Sequence, residues 1–205
     1  MIRRLALAAC AVLPMLAACI TRTSSSDPRA PDSYRVSFVT SRGPFTVQVT
    51  RALAPHGADR FHALVSSGYF TDCRFFRVVP GFVAQFGMNG DPLLSERWSS
   101  KPIPDDSIRE TNARGTIVFA MAGPNTRASQ LFVNLKDNTQ LDAMGFAPLG
   151  RVVDGMVVVD SLYSGYGDDP EQRSISSEGN AYLTREFPKL DYIISARIVA
   201  DSAAR

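Results

Sequence analysis

Apolar and polar positions alternate with a period of two along residues 34–50. Val36, Phe38 and Thr40 oppose Arg35, Ser37 and Val39, and after Ser41-Arg42-Gly43-Pro44 the series resumes with Phe45, Val47 and Val49. That period places successive side chains on opposite faces of a strand, so the stretch predicts two strands joined by a tight turn. At 55–67 the period changes: Phe61, Leu64 and Val65 fall at helical spacing, and Gly68 supplies a stop signal. Val78-Val79, Pro80-Gly81 and then Phe82, Val83 and Phe86 read as strand, turn and strand. Strand-like runs recur at 116–121, 131–135, 146–153 and 191–199, and Asp154 is placed to cap a second helix running through Val157 to Leu162. Residues 91–114, polar and with prolines at 92, 102 and 104, read as a loop that Trp98 pins to the body. Residues 163–190, rich in Gly, Ser and charge, read as a second long loop, a kind of segment that is often functional inside a compact domain. Many antiparallel strands with two helices predict a mainly-β fold, a closed barrel that leaves no exposed edge.

Two polar side chains interrupt the apolar hairpin FFRVVPGFVAQ at 75–85: Arg77 before the turn and Gln85 after it. Residues an even number apart share a strand face, and the turn resets that count. A folded-back segment therefore aims Arg77, Phe82 and Gln85 at one spot, where a fixed cation, an aromatic wall and an amide suit a neutral, partly apolar, carbonyl-bearing ligand. The competing reading makes Arg77 a solvated or edge-guarding residue and Phe82 part of the core.

A second segment decides between them. Residues 115–133 read GTIVFAMAGPNTRASQLFV, a strand, a loop of small residues and another strand. FFRVVPGFVAQ and FAMAGPNTRASQLFV closely resemble the two signature segments of the cyclophilins, the peptidyl-prolyl cis/trans isomerases. The spacing between them and the later LD…GRVVDGM at 141–156 fit as well, so the resemblance covers 34–199. It implies an eight-stranded antiparallel barrel, closed and capped by an α-helix at each end. It also implies polypeptide substrates containing Xaa-Pro bonds, a monomer, and neither cofactor nor metal.

The chemistry suits the residues. Rotation about a peptide bond meets a barrier of about 18–20 kcal/mol because the nitrogen lone pair is delocalised. Before proline both isomers are populated, yet exchange takes roughly tens to hundreds of seconds. Catalysis requires a site that prefers the twisted amide to either planar form. The twisted nitrogen recovers its lone pair, and a preorganised guanidinium aimed there is stabilised only at that moment. By position in the motifs, the resemblance assigns that donor to Arg77 and a hydrogen bond to the substrate backbone to Gln85. Phe82, Val83, Phe132 and Leu141 line the proline pocket, Met121 after Ala120 offers backbone groups to the residue before proline, and Gln130 sits at the rim. Three departures are visible. Gln140 stands where many cyclophilins carry tryptophan, which puts cyclosporin binding in doubt. AMGFAP lacks a common histidine, leaving Gly145 or Phe146 at that wall. Phe76 replaces a histidine often found beside the key arginine. Altered substrate or inhibitor preference is the expectation, and a Pro-segment binding module or chaperone with little turnover is the alternative.

The composition of the 205 residues, 45% hydrophobic and 20% charged, is that of an ordinary globular domain. Arg3 and Arg4 precede an apolar run from Leu5 to Ala18, a charged and then hydrophobic leader too short to span a bilayer. Leu16-Ala17-Ala18-Cys19 resembles a bacterial lipobox, which implies lipidation of Cys19; the alternative is a plain secretory signal. The expected organisation is a signal peptide at 1–18, a disordered tether at 19–33, the isomerase domain at 34–200 and a tail at 201–205. The expected location is the cell envelope, anchored by lipid to a bacterial membrane and facing the periplasm or exterior. Removing Arg3 and Arg4 from 22 basic residues leaves 20 against 20 acidic ones, and without a basic stripe no nucleic-acid partner is indicated. With Cys10 and Cys19 spent, Cys73 has no disulfide partner and reads as a small buried or half-buried residue. His56 and His62 read as surface or helix-start residues, and Asp105, Asp106 and Glu110 as a solvated loop. No Walker loop, dinucleotide fingerprint, zinc spacing or GxSxG elbow is present.

Overall fold

A computed structural model describes residues 27–199. The strands are β1 (Ser33–Thr40), β2 (Gly43–Thr50), β3 (Arg77–Val79), β4 (Val83–Phe86), β5 (Thr116–Phe119), β6 (Leu131–Asn134), β7 (Pro148–Asp154) and β8 (Ile193–Val199). The helices are α1 (Pro55–Ser66), α2 (Pro92–Ser99), α3 (Met156–Asp160), α4 (Gln172–Glu178) and α5 (Asn180–Glu186). The leader, Cys19, the first part of the tether and the tail lie outside the described residues.

All eight strands form one antiparallel sheet in the order β3-β4-β6-β5-β7-β2-β1-β8. It curls into a half-barrel and is not the closed barrel that the sequence suggests. The end strands β3 and β8 do not pair along their length. They are tied where the chain enters them, by a bridge between Arg74 and Tyr192 and by backbone hydrogen bonds from Phe75 N to Asp191 O at 2.9 Å, Ile193 N to Cys73 O at 2.9 Å and Asp72 N to Ile193 O at 2.7 Å. The reason is local: β3 has three residues, and on its outer edge Val78 N donates to Gly167 O at 3.1 Å. A piece of the 163–190 excursion thus occupies the edge that a closing strand would need.

The concave side is filled by the alternating apolar residues of β1 and β2 together with one face of α1. Phe38 is the hub, stacked on Phe45 at 4.7 Å and in ring contact with Phe61, Phe70 and Phe86. Of the two predicted helices, α1 buries Phe61 and Leu64 in this core, while α3 contributes Val159. Asp154 does not cap α3; it ends β7, and the cap position belongs to Gly155 at φ +77°, where a Cβ would collide with Pro44 and Phe45.

Three helices stand where the sequence reads as loop. Helix α2 forms because the Asp91 side chain accepts from Leu93 N at 2.9 Å and Leu94 N at 3.4 Å, with Pro92 in the first turn. Its Trp98 meets Tyr69 edge-on at 6.0 Å and lies under the Arg60 guanidinium at 5.4 Å. Helices α4 and α5 lie within 163–190. Residues 27–32, assigned to the tether, have no regular secondary structure but are docked: Ala30 is buried, Ala30 N donates to Asp59 at 2.8 Å, and Asp27 pairs with Arg60 at 2.6 Å.

The acidic stretch is solvated at Asp105 and half-exposed at Glu110, but the reading is corrected at Asp106. Asp106 is buried, pairs at 3.0 Å with Arg127, itself 1% exposed, and accepts from the His56 and Gly57 amides at 3.0 and 2.8 Å. It therefore neutralises a buried cation and closes the N-terminus of α1, which has no side-chain cap of its own. Breaking a buried pair by removing one partner strands the other charge. Asp106→Ala is expected to cost about 3–5 kcal/mol in urea denaturation. Glu110→Ala, at a half-exposed 3.8 Å contact with Arg151, should stay within about 0.5 kcal/mol of wild type.

Candidate active site

Strands β4, β5 and β6 are buried on both faces, which is why their sequences are largely continuous apolar runs rather than alternating ones. The register sorts their residues into two rows. Val78, Ala84, Val133 and Ile117 are successive cross-strand partners and belong to the main core. Arg77, Gln85, Phe132 and Val118 form the next row and stand on the opposite face. There Val83, Val118, Phe132 and Leu141 make a separate apolar cluster, flanked by Phe82, Ala120 and Phe146.

The hairpin fixes this arrangement. Phe82 N donates to Val79 O at 3.0 Å across Pro80-Gly81, and Gly81 has φ +68°. Proline in the first central position and a left-handed glycine in the second make a type II turn. Val79 pairs with Val83, so Pro80, Gly81 and Phe82 form the connection, and this register sets Arg77 directly opposite Gln85. Arg77 Nη1 donates to Gln85 Oε1 at 3.4 Å, and its guanidinium lies 5.6 Å from the Phe82 ring centre. Gln85 is buried, and its Nε2 donates to Gln130 Oε1 at 2.9 Å. Among the described residues no carboxylate pairs with Arg77, so its charge is free to face a ligand.

Arg77, Phe82, Val83, Gln85, Ala120, Met121, Phe132 and Leu141 all line one cavity of about 220 Å³. Gln130 is not among its walls. It lines an adjoining cavity of about 270 Å³, which shares Gln85, Ala120 and Met121 with the first. The wall that the sequence left between Gly145 and Phe146 is Phe146, whose ring meets Phe132 at 5.7 Å and 68°. Gln140 is exposed and lines neither cavity. Sequence reasoning missed Gln172, which lines both cavities from the first position of α4. The only signal for it was the length of the loop that carries it.

A chain of buried amides holds the apolar walls in place. Asn138 Nδ2 donates to Phe82 O at 2.9 Å and to Asn134 Oδ1 at 2.8 Å, and Asn134 Nδ2 donates to Thr116 Oγ1 at 2.8 Å and Asn112 Oδ1 at 3.1 Å. Asn112 Nδ2 in turn donates to Phe146 O at 2.8 Å and Asp142 Oδ1 at 2.7 Å. Desolvation pushes the Asp142 carboxyl upward, but hydrogen bonds from Thr111 and Asn112 outweigh it and hold the group below its ordinary value. The backbone at Phe82 and at Phe146 is thereby linked through side chains with no freedom to rotate without stranding a buried polar group.

Other candidate residues lie elsewhere. His56 lies in the first turn of α1 and His62 sits edge-on to Tyr34 at 5.1 Å; neither lines either of these two cavities. Cys73 is fully buried, and burial drives its thiol upward, away from the reactive thiolate. No group of three metal-ligating side chains occurs among the described residues.

Comparison with known proteins agrees with this geometry. The family model described as cyclophilin type peptidyl-prolyl cis-trans isomerase/CLD matches residues 35–178, more than half of the chain. A peptidyl-prolyl cis-trans isomerase-like 1 of Aspergillus oryzae is 33% identical over 133 residues, covering 62% of this chain and 80% of that one. A peptidyl-prolyl cis-trans isomerase of Acinetobacter baylyi is 31% identical over 133 residues, covering 62% and 70% respectively. Among solved structures, a Cryptosporidium parvum cyclophilin type isomerase, crystallised in the presence of the dipeptide Ala-Pro, superposes with a TM-score of 0.61 at 22% identity, covering 82% of this chain and 99% of that one. The Hirschia baltica cyclophilin AquaCyp293 gives 0.62 at 16% identity, covering 86% and 78%. The chain belongs to the cyclophilin family of peptidyl-prolyl cis-trans isomerases.

Proposed function

We propose that the smaller cavity is the catalytic site and that it accelerates Xaa-Pro rotation in proteins outside the cytoplasm. The observation that carries this reading is Arg77, a cation without a carboxylate partner among the described residues, held at the wall of an apolar cavity. The proline ring packs on Val83, Phe132, Leu141 and Phe146, and each methylene it buries contributes about 0.8 kcal/mol to binding. That contribution is the same for both isomers and for the twisted state, so it anchors the ring and leaves the barrier unchanged.

The barrier falls at Arg77. As the bond twists, the prolyl nitrogen becomes pyramidal and regains a localised lone pair, which the guanidinium fork meets with an N–H. Gln85 takes part in two ways: it holds the fork from across the hairpin and presents its amide to the substrate backbone. Phe82 excludes water from the donor and keeps the local dielectric low, which strengthens the developing interaction. Backbone groups at Ala120 and Met121 orient the residue before proline. No bond is made or broken, so no nucleophile, proton relay or cofactor enters the step.

The place of action is read from the N-terminus. A leader ending in Leu16-Ala17-Ala18-Cys19 would put a lipid on Cys19, and the polar segment after it would connect that anchor to the domain whose docking begins near Asp27. Clients are then polypeptides folding in the cell envelope.

In a cis/trans exchange assay on a short Xaa-Pro peptide, wild type should accelerate interconversion, and Arg77→Ala should lose about a hundredfold or more while keeping its fold by circular dichroism. Equal rates for the two proteins would favour the binding-module reading. Mass spectrometry of the protein from its native membrane should find a diacylated or triacylated Cys19 as the first residue; an unmodified N-terminus elsewhere would remove the anchor.

A further inference from the structure

Residues 163–190 form a small unit with a core of their own. Ile175 of α4 and Leu183 of α5 are buried with Leu190, and Tyr166, Tyr182 and Phe187 pack around them. Two residues of the main body complete this core: Met88, and Phe76, which directly precedes Arg77. A histidine at Phe76 would put a polar ring into an apolar cluster, which accounts for the departure noted in the sequence.

The unit is fixed to the body at two further places, the first of them beside the site. Gly167 O accepts from Val78 N, the residue after Arg77. Between α4 and α5, Asn180 N donates to Gly90 O at 3.0 Å, while Asn180 Nδ2 donates to Asp72 Oδ2 at 2.8 Å and Asp72 O at 3.0 Å. Gly179 makes this close approach with φ +61° and ψ −137°, and a Cβ there would run into the Gly90 carbonyl. Anchored in this way, α4 lies against α2 and puts Gln172 opposite the sheet.

Gln172 is the only part of the unit that reaches either cavity, and it borders both. In the larger one it faces Gln85, Gln130, Ser99, Thr126 and Ser129, and no charged side chain lines that space. A charged group entering it would leave water without a counter-ion, whereas an uncharged polar group would find several amides and hydroxyls.

We propose that the 163–190 unit is a specificity element and that Gln172 is its reading residue, hydrogen-bonding the polypeptide beside the proline and favouring uncharged polar side chains there. This rests on the smaller cavity being the proline site. Gln172 is exposed, so its replacement leaves both cores intact.

The test measures both affinity and exchange rate for peptides that differ only beside the Xaa-Pro unit, carrying Gln, Ser, Leu, Glu or Lys. Wild type should rank Gln and Ser first. Gln172→Ala should weaken those two by about three- to tenfold, the worth of one net hydrogen bond, and change Leu by less than about twofold. Gln172→Glu should move Lys ahead of Glu. An element that only supports the fold would scale every peptide alike, so an unchanged ranking in both variants overturns the proposal. If no peptide is accelerated but affinities still follow Gln172 in this way, the specificity role stands and the isomerase reading fails.

Discussion

Arg77 stands opposite Gln85 because three residues, Pro80, Gly81 and Phe82, connect Val79 to its partner Val83, and that register is the constraint on which the site depends. A slip of one position would send the guanidinium into the row occupied by Val78, Ala84, Val133 and Ile117, against the phenylalanine core. Burying a charge there without a partner would cost several kcal/mol, roughly the size of a domain's whole margin of stability. The three-residue connection and the core therefore enforce the same register from two directions. Because β4, β5 and β6 are buried on both faces, one sheet provides a core on one side and a cavity wall on the other.

The remaining structure holds the walls around that surface. The amide chain from Asn138 to Asp142 ties Phe82 to Phe146. The opposite wall is held by charge. Arg60 donates to Lys101 O at 2.7 Å and Ala128 O at 3.0 Å, and Arg127 pairs with Asp106, so the loop carrying Thr126 and Gln130 is bolted to α1. The 163–190 unit occupies the gap that an open sheet leaves beside β3. A closed barrel would have no edge for Gly167 to bind and no place from which to hang a further wall over the site.

The hairpin, the second signature segment and the alternation in β1 and β2 were legible because each is a local pattern with one physical solution. Arg77, Phe82, Gln85 and their apolar neighbours were found through those segments, and the structure gathers them. What the sequence hid was non-local. Asp106 reads as a loop carboxylate, and only the fold brings it to Arg127 and the start of α1. Asp154 looks like a helix cap, but the close approach to Phe45 gives that place to Gly155. Helices α4 and α5 are short, lack an apolar face long enough to show a period, and take part of their core from Phe76 and Met88, far away in sequence. Gln172 could not be placed until they were.

The account depends on geometry as well as charge at Arg77, and Arg77→Lys separates the two. Lysine keeps the cation but lacks the planar fork that, in the proposed mechanism, would reach from Gln85 to the prolyl nitrogen. Exchange spectroscopy on a peptide saturated with enzyme reads the rate of isomerisation in the complex, independent of affinity. The account predicts that Arg77→Lys binds the peptide within a few-fold of wild type yet exchanges it at least about tenfold more slowly. An undiminished rate in the lysine variant would contradict it.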